Sequence, residues 1–228
     1  MGGYTQPLER STQEMTSRPP RDRPHPLRLA ALVILFAGLT TMTVFAGGML
    51  QGVQEQQQLI QAWNSDAAHR HLGAPALDLK LRQPVNGVDF AIRVPRLGYS
   101  AAVKEGVTTS VLYSSPGHYP ETMWPGDPGT VGVAAHNVYW INFPELAPGD
   151  EIDLDTLYGT FKYHVTGSAI VNPDNRSVLV PDAPGYHLTL TTCWPLWAGA
   201  FATQRYVIFS DQYAPRTDSP LNQRKPAS

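Results

Sequence analysis

The sequence predicts an all-β protein, a closed and mostly antiparallel β-barrel of about eight strands with short helices, preceded by one N-terminal transmembrane helix. Between residues 83 and 214 the apolar residues fall in short continuous or alternating runs separated by Gly, Pro, Asp and Asn, the pattern of strands joined by turns. That region contains no long amphipathic helix of the kind that covers a parallel sheet, which argues against an α/β fold. Ahead of it lies a 22-residue uncharged stretch from Leu29 to Leu50. A helix of about 20 apolar residues crosses a hydrocarbon core of about 30 Å.

Each element follows in chain order. Residues 1–28 are rich in Pro, Arg, Ser and Thr and lack apolar periodicity, so they are expected to be a disordered cytoplasmic tail. Residues 29–50 are the membrane anchor. Arg10, Arg18, Arg21, Arg23 and Arg28 precede the span and the next basic residue is Arg70, so the positive-inside bias places the N-terminus in the cytoplasm and the remainder outside. A cleaved signal peptide is the competing reading, favoured by the small residues Ala46, Gly47 and Gly48. The apolar run exceeds the usual h-region of about 7–15 residues, and an uncleaved anchor is expected. Residues 51–82 begin as a polar helix rich in Gln and loosen at Gly73 and Pro75, which makes them an extracellular stalk. Residues 83–214 are long enough for one hydrophobic core and too short for two. The tail 215–228 is expected to fray.

Seven runs in this domain read as strands: Phe90–Val94, Thr130–Ala134, Glu151–Leu154, Thr160–Val165, Ser177–Val180, His187–Thr191 and Arg205–Ser210. Seven or eight such strands imply a closed or nearly closed sheet. Gly106–Ser114 and Phe143–Leu146 have room for one helical turn each. The two Pro-Gly-Asp triplets at 125–127 and 148–150 are turns rather than a repeat.

A formal net charge of -2 supplies no basic field for nucleic acid, and no phosphate-binding Gly-rich loop is present. His69, His71 and His118 form no ligand set with recognisable spacing, so no metal or cofactor is expected. Glu151, Asp153 and Asp155 alternate on one strand beside Asp150; they read as a solvated face in preference to a calcium site. The chemistry lies elsewhere. Cys193 is the only cysteine and closes a strand-like run, so outside the cell it has no intramolecular disulfide partner. His136 and Arg205 also stand at strand ends. A thiol attacking an acyl carbonyl needs an imidazole and a positive donor for the oxyanion, and these residue types supply them. Composition and spacing alone leave a buried structural Cys open and favour an incidental His and a solvated or ion-paired Arg.

The motifs separate these readings. Thr189-Leu-Thr-Thr-Cys193 followed by Pro195, Arg205-Tyr-Val-Ile208 and Val133-Ala-Ala-His136 together resemble the sortase family of cysteine transpeptidases, over roughly Ile92 to Phe209. Ser115-Pro-Gly-His-Tyr-Pro120 and Leu146-Ala-Pro-Gly-Asp-Glu-Ile152 resemble stretches of class D and class E sortases of Gram-positive bacteria. Many of those enzymes read Gly-His-Arg around the histidine; this chain reads Ala135-His136-Asn137 and continues with the aromatic Val138-Tyr-Trp-Ile-Asn-Phe143.

The resemblance implies a sortase-like barrel in which Cys193 is the nucleophile, His136 the proton carrier and Arg205 the donor to substrate backbone or oxyanion. It implies cleavage of an LPxTG-like signal on a secreted protein at the Thr-Gly bond, through a thioester resolved by a peptidoglycan-precursor or pilin amine. Thr192, Trp194, Asn137 and Tyr139 are the substrate-binding candidates. For the aromatics after His136 the alternatives are an altered pocket and packing against the neighbouring loop. Trp194, Leu196 and Trp197 either wall the leaving-group side or cap the barrel end, and Thr192 either shapes the site or is an ordinary strand threonine.

Overall fold

The structure, a computed structural model, describes residues 26–70 and 81–215. The expected tails before Pro26 and after Pro215 lie outside the described residues.

Helix α1 runs from Pro26 to Arg70. Residues through Ala46 form one structural unit and those from Gly47 onward a second. In the first unit Leu32, Ile34, Phe36, Met42 and Phe45 are all exposed. The polar groups of this stretch are satisfied within the helix: the hydroxyls of Thr40, Thr41 and Thr43 donate to the carbonyls of Phe36, Ala37 and Leu39 at 2.8–2.9 Å. Among the described residues α1 alone is long and apolar enough to cross a membrane, which supports a single-pass topology.

The second unit is a closed eight-stranded barrel. Its strands are β1 Val88–Val94, β2 Tyr99–Glu105, β3 Gly117–His118, β4 Gly129–Ala135, β5 Glu151–Thr156, β6 Gly159–Val171, β7 Tyr186–Trp194 and β8 Gln204–Ala214. Around the barrel they run β1-β2-β3-β4-β7-β8-β6-β5, closing between β5 and β1. Six pairings are antiparallel, while β2–β3 and β4–β7 are parallel. The all-β, mostly antiparallel barrel is therefore the observed fold. Short helices punctuate it: α2 at Thr109–Leu112, and 3-10 turns at Pro95–Leu97, Phe143–Glu145, Arg176–Leu179 and Leu196–Phe201.

Local chemistry explains these elements. Pro95 starts the turn between β1 and β2, and Gly98 at φ 59° ends it in the left-handed region where only glycine is unstrained. Thr108 caps α2 by accepting from the amide of Val111. Ser177–Val180, expected as a strand, is instead a 3-10 turn from Arg176 to Leu179, because Asn175 accepts from Ser177 N at 3.0 Å and folds the backbone at its start. Leu179 then lies over Gly132 of β4, where a Cβ would meet its Cδ2 at 2.8 Å.

The core is filled by inward residues of every long strand, among them Phe90, Ile92, Leu154, Tyr163, Leu190 and Ile208. The region read as a stalk joins it. Trp63 of α1 is 3% exposed within this core, and Leu59 and Ile60 pack against it. On β2 the short strand β3 reaches only Lys104 and Glu105, so the earlier edge of β2 is left open. Gln56 closes it by accepting from Ala102 N at 2.8 Å and donating to Ala102 O at 3.1 Å. The carboxamide thus stands in for a missing strand at that point, satisfying Ala102 N and sharing Ala102 O with the Ser115 hydroxyl, which donates to it at 2.7 Å. Lys104 pairs with Glu55 beside it.

The carboxylates on β5 are not a solvated face. Asp153 and Asp155 are buried, and Arg93 pairs with Asp155, Lys162 with Glu151 at 2.9 Å and with Asp153 at 3.4 Å, and Arg96 with Asp150 at 2.5 Å.

Candidate active site

Three neighbouring strands, β4, β7 and β8, bring the sequence-predicted residues to one end of the barrel. In the antiparallel β7–β8 ladder Cys193 is the register partner of Arg205. Directly opposed Cα atoms in such a pair stand about 4.5–5.5 Å apart. On the other side β7 runs parallel to β4, and the last pair is Ala135 with Thr192. One residue further, His136 follows Ala135 as Cys193 follows Thr192, on strands about 4.8 Å apart.

Alternation sets the face. Leu188 and Leu190 belong to the core, so by alternation Thr189, Thr191 and Cys193 look outward. On β4, Val131, Val133 and Ala135 are in the core, which turns the next position, His136, to the same outer face. On β8 the inward Ile208 leaves Arg205 outward as well.

Cys193 and Arg205 are half-buried. Among the described residues the Cys193 thiol has no hydrogen bond or disulfide. The Arg205 guanidinium donates only to the carbonyl of Gln204 at 3.0 Å and has no carboxylate partner there. A structural salt bridge does not account for it. Burial lowers the pKa of His136 from its ordinary value, because an imidazolium loses hydration there with no anion to compensate. Its neutral form is favoured.

The four substrate-binding candidates are largely engaged with the protein itself. Thr192 Oγ1 donates to Ala135 O at 2.9 Å, tying β7 to β4 one residue before Cys193 and His136. Asn137 is 5% exposed; its Nδ2 donates to Leu196 O, and its Oδ1 accepts from Val138 N at 3.1 Å. Tyr139 Oη donates to Tyr113 O and abuts α1 at Gly52, where a Cβ would lie 2.9 Å from the hydroxyl. Trp194 is half-buried against Tyr206, ring centroids 5.4 Å apart. Of the other aromatics after His136, Trp140 and Phe143 stack at 4.5 Å and are each 1% exposed, so they pack the barrel end. Trp197 and Phe201, by contrast, are 87% and 88% exposed on the turn that follows Cys193.

Sequence reasoning assigned no role to two residues of the 115–120 motif. Tyr119 Oη shares a hydrogen bond of 3.1 Å with Thr191 Oγ1, two positions before Cys193 on the outward face of β7. His118 is buried against Asp89 at 2.8 Å and the Met123 carbonyl at 3.1 Å, between the rings of Phe90 and Trp124. The motif was visible; the partners were not. Further along the outer face, a cavity of about 330 Å³ is lined by Thr130, His187, Thr189, Phe209, Asp211 and the 177–184 loop, and excludes the three rim residues. Burial opposes protonation of His187 there, but the Pro184 carbonyl and the Asp211 carboxylate, each at 2.7 Å, hold its pKa above the ordinary value.

Comparison with known proteins agrees with this architecture. The Sortase domain model matches residues 92–213. Sortase D of Bacillus subtilis (strain 168) is 28% identical over 119 residues, 52% of this chain and 60% of that protein. The solved structure of sortase E from Streptomyces avermitilis is 29% identical, with a TM-score of 0.50 over 58% of this chain and 91% of that one. The Sortase D5 transpeptidase of Clostridium perfringens gives a TM-score of 0.55 over 73% of this chain and 99% of that one, a likeness of fold at 22% identity. The chain spans about half the length of the curated relatives it matches, 60% of one and 46% of another.

Proposed function

The chain belongs to the sortase family, and on that premise we propose that it is a cysteine transpeptidase that cuts an LPxTG-like sorting signal at the Thr-Gly bond. The observation that carries this reading is the register pairing of Cys193 with Arg205 beside the end of β4, where His136 follows. The anchor holds the enzyme in the membrane with its N-terminus in the cytoplasm and the barrel outside, as the arginines before the span favour. Its acyl donors are secreted proteins bearing a C-terminal sorting signal. The acceptor is an amine of a peptidoglycan precursor or a pilin lysine.

The lowered pKa of His136 supports starting from a neutral imidazole. His136 takes the proton of the Cys193 thiol as Sγ bonds to the threonyl carbonyl carbon, and the carbonyl pair moves onto oxygen. Arg205 donates to that oxyanion, whose charge is largest in the tetrahedral state. Collapse breaks the C–N bond; the departing glycine amine leaves with the proton from His136, and a thioester remains. The incoming amine gives its proton to His136 as it attacks. The second collapse expels the Cys193 sulfur, which recovers the proton.

The test is intact mass of the full-length chain in detergent, incubated with LPxTG-like and LAxTG-like peptides with and without amine acceptors. Wild type forms a thioester that amine converts to ligated product, and Cys193→Ala forms none. Persistent thioester in that variant would remove Cys193 as the nucleophile. Binding without cleavage by wild type would show a silent peptide-binding barrel, and hydrolysis with no product gain from amine would show an endopeptidase.

A further inference from the structure

We propose that Asn137 is a positioning residue that holds His136 in register with Cys193, a role that rests on the acyl-transfer reading above. The two reacting side chains stand where the β4–β7 ladder stops, since Ala135 with Thr192 is its last pair. Beyond that point β4 leaves into the 137–142 loop, and β7 ends at Trp194 before the turn that starts at Leu196. No backbone ladder fixes one strand end against the other there. Two side-chain bonds do. Thr192 Oγ1 to Ala135 O brackets the pair on the barrel side, and Asn137 Nδ2 to Leu196 O brackets it on the outer side.

The Asn137 amide has one orientation that satisfies both contacts. Leu196 O can only accept and Val138 N can only donate, so Nδ2 must face the first and Oδ1 the second. The bond is also the main tie of its segment. Within 195–203 the backbone bonds are internal, from Ala198 N to Pro195 O and from Ala202 N to Gly199 O. Among the described residues no other hydrogen bond joins that loop to the 136–142 loop.

On the His136 side Asn137 contributes only the acceptor for Val138 N, at an exposed residue where water can replace it, and other contacts shape the turn. Tyr139 N donates to His136 O at 3.0 Å, Tyr139 Oη donates to Tyr113 O, and Trp140 and Phe143 are buried. Losing the Asn137 amide therefore leaves the 136–142 turn folded and frees it from the segment after the nucleophile. Misplacement of a reacting group by about 1 Å costs roughly 10²-fold in rate, so a loss of about 10- to 100-fold in acylation is expected.

Because Cys193 is the sole cysteine, its alkylation by iodoacetamide can be followed by intact mass in the full-length chain whether or not a sorting peptide is cleaved. Alkylation rate against pH, thermal midpoint and single-turnover acylation are measured for wild type, His136→Ala, Asn137→Ala and Asn137→Gln. The expected result is a histidine-dependent inflection in wild type, absent from His136→Ala and displaced or lost in Asn137→Ala at a nearly unchanged thermal midpoint, with Asn137→Gln recovering part of the profile. A folded Asn137→Ala with the wild-type profile and acylation rate overturns the proposal, as does a fall in thermal midpoint with the profile intact. If Asn137→Ala does not fold, a folded Asn137→Asp that keeps the wild-type acylation rate overturns it equally, because aspartate retains the acceptor for Val138 N and lacks the donor to Leu196 O. A wild type indistinguishable from His136→Ala fails at the earlier step, by removing the Cys193–His136 pairing itself.

Discussion

Replacing Arg205 by lysine separates chemistry from stability. The side chain lies opposite Cys193 in an antiparallel pair, on the outward face, and its single hydrogen bond among the described residues is to Gln204 O at 3.0 Å. Lysine keeps the positive charge but is a point donor in place of a planar fork, so the geometry toward an oxyanion above Cys193 is lost. Removal of one oxyanion donor costs about 10²–10³ in rate, or about 2.7–4 kcal/mol in the transition state. The folded state loses far less. One partly exposed bond contributes roughly 1 kcal/mol, which for a domain of this size moves the thermal midpoint by roughly 2–4 °C. Acylation of a sorting peptide by Arg205→Lys under single turnover, read beside its melting curve, is therefore expected to slow about 10²-fold or more in a protein that remains folded. A folded variant with near wild-type acylation would refute the assignment. So would a loss of activity that only tracks unfolding.

Further outcomes test half-buried His136 and buried His118. Burial lowers His136, so the histidine-dependent limb of the acylation profile is expected below the ordinary value of about 6.5 and absent from His136→Ala; an unchanged profile in that variant removes His136 from the mechanism. The linkage has the same sign: the unfolded chain binds this proton first, so stability held above about pH 6.5 is lost as pH falls through the folded value, and His136→Ala flattens that part of a urea-midpoint profile. His118→Ala strands Asp89, which is 1% exposed, and is expected to cost about 3–5 kcal/mol in urea unfolding; a loss below about 1 kcal/mol would show that the pair contributes little to the barrel.

How far the sequence reaches depends on whether a feature is written in periodicity or in partners. The long strands β4, β7 and β8 carry strong apolar alternation and were legible with the candidate residues at their ends. Strand β2 was missed because Tyr99-Ser-Ala-Ala-Val-Lys-Glu105 has small residues where a strand signal needs branched ones. Strand β3 has only two residues and exists through its pairings with β2 and β4. Ser177–Val180 has the composition of a strand, and only the Asn175 bond shows that it turns. The burial of Trp63 could not be read from a segment dominated by glutamines, since its partner surface lies on strands distant in sequence. At the site, motif resemblance located Cys193, His136 and Arg205, whereas the Asn137–Leu196 and Tyr119–Thr191 bonds span 59 and 72 positions and leave no spacing signature.

The same strand that supplies the proposed nucleophile also supplies core, and alternation is what keeps the two tasks from interfering. Leu188 and Leu190 fill the barrel from the inner face of β7, and Thr192 ends that face by bonding to Ala135 O. A slip of one residue would turn Leu190 to the outside and Cys193 to the inside, so burial of the leucines fixes the thiol on the outer face. Thr191, outward, is held by Tyr119 and fixes the strand from the opposite side. Cys193 is thus oriented by residues one to five positions before it, none of which needs to touch a substrate. What remains free at the strand end is the turn after Cys193, where Trp197 and Phe201 are exposed and the Asn137 amide is the tie across to His136. On the β8 side backbone pairing holds the strand end through Trp194, whereas on the β4 side the ladder stops at Thr192 and the tie beyond it is the Asn137 side-chain bond.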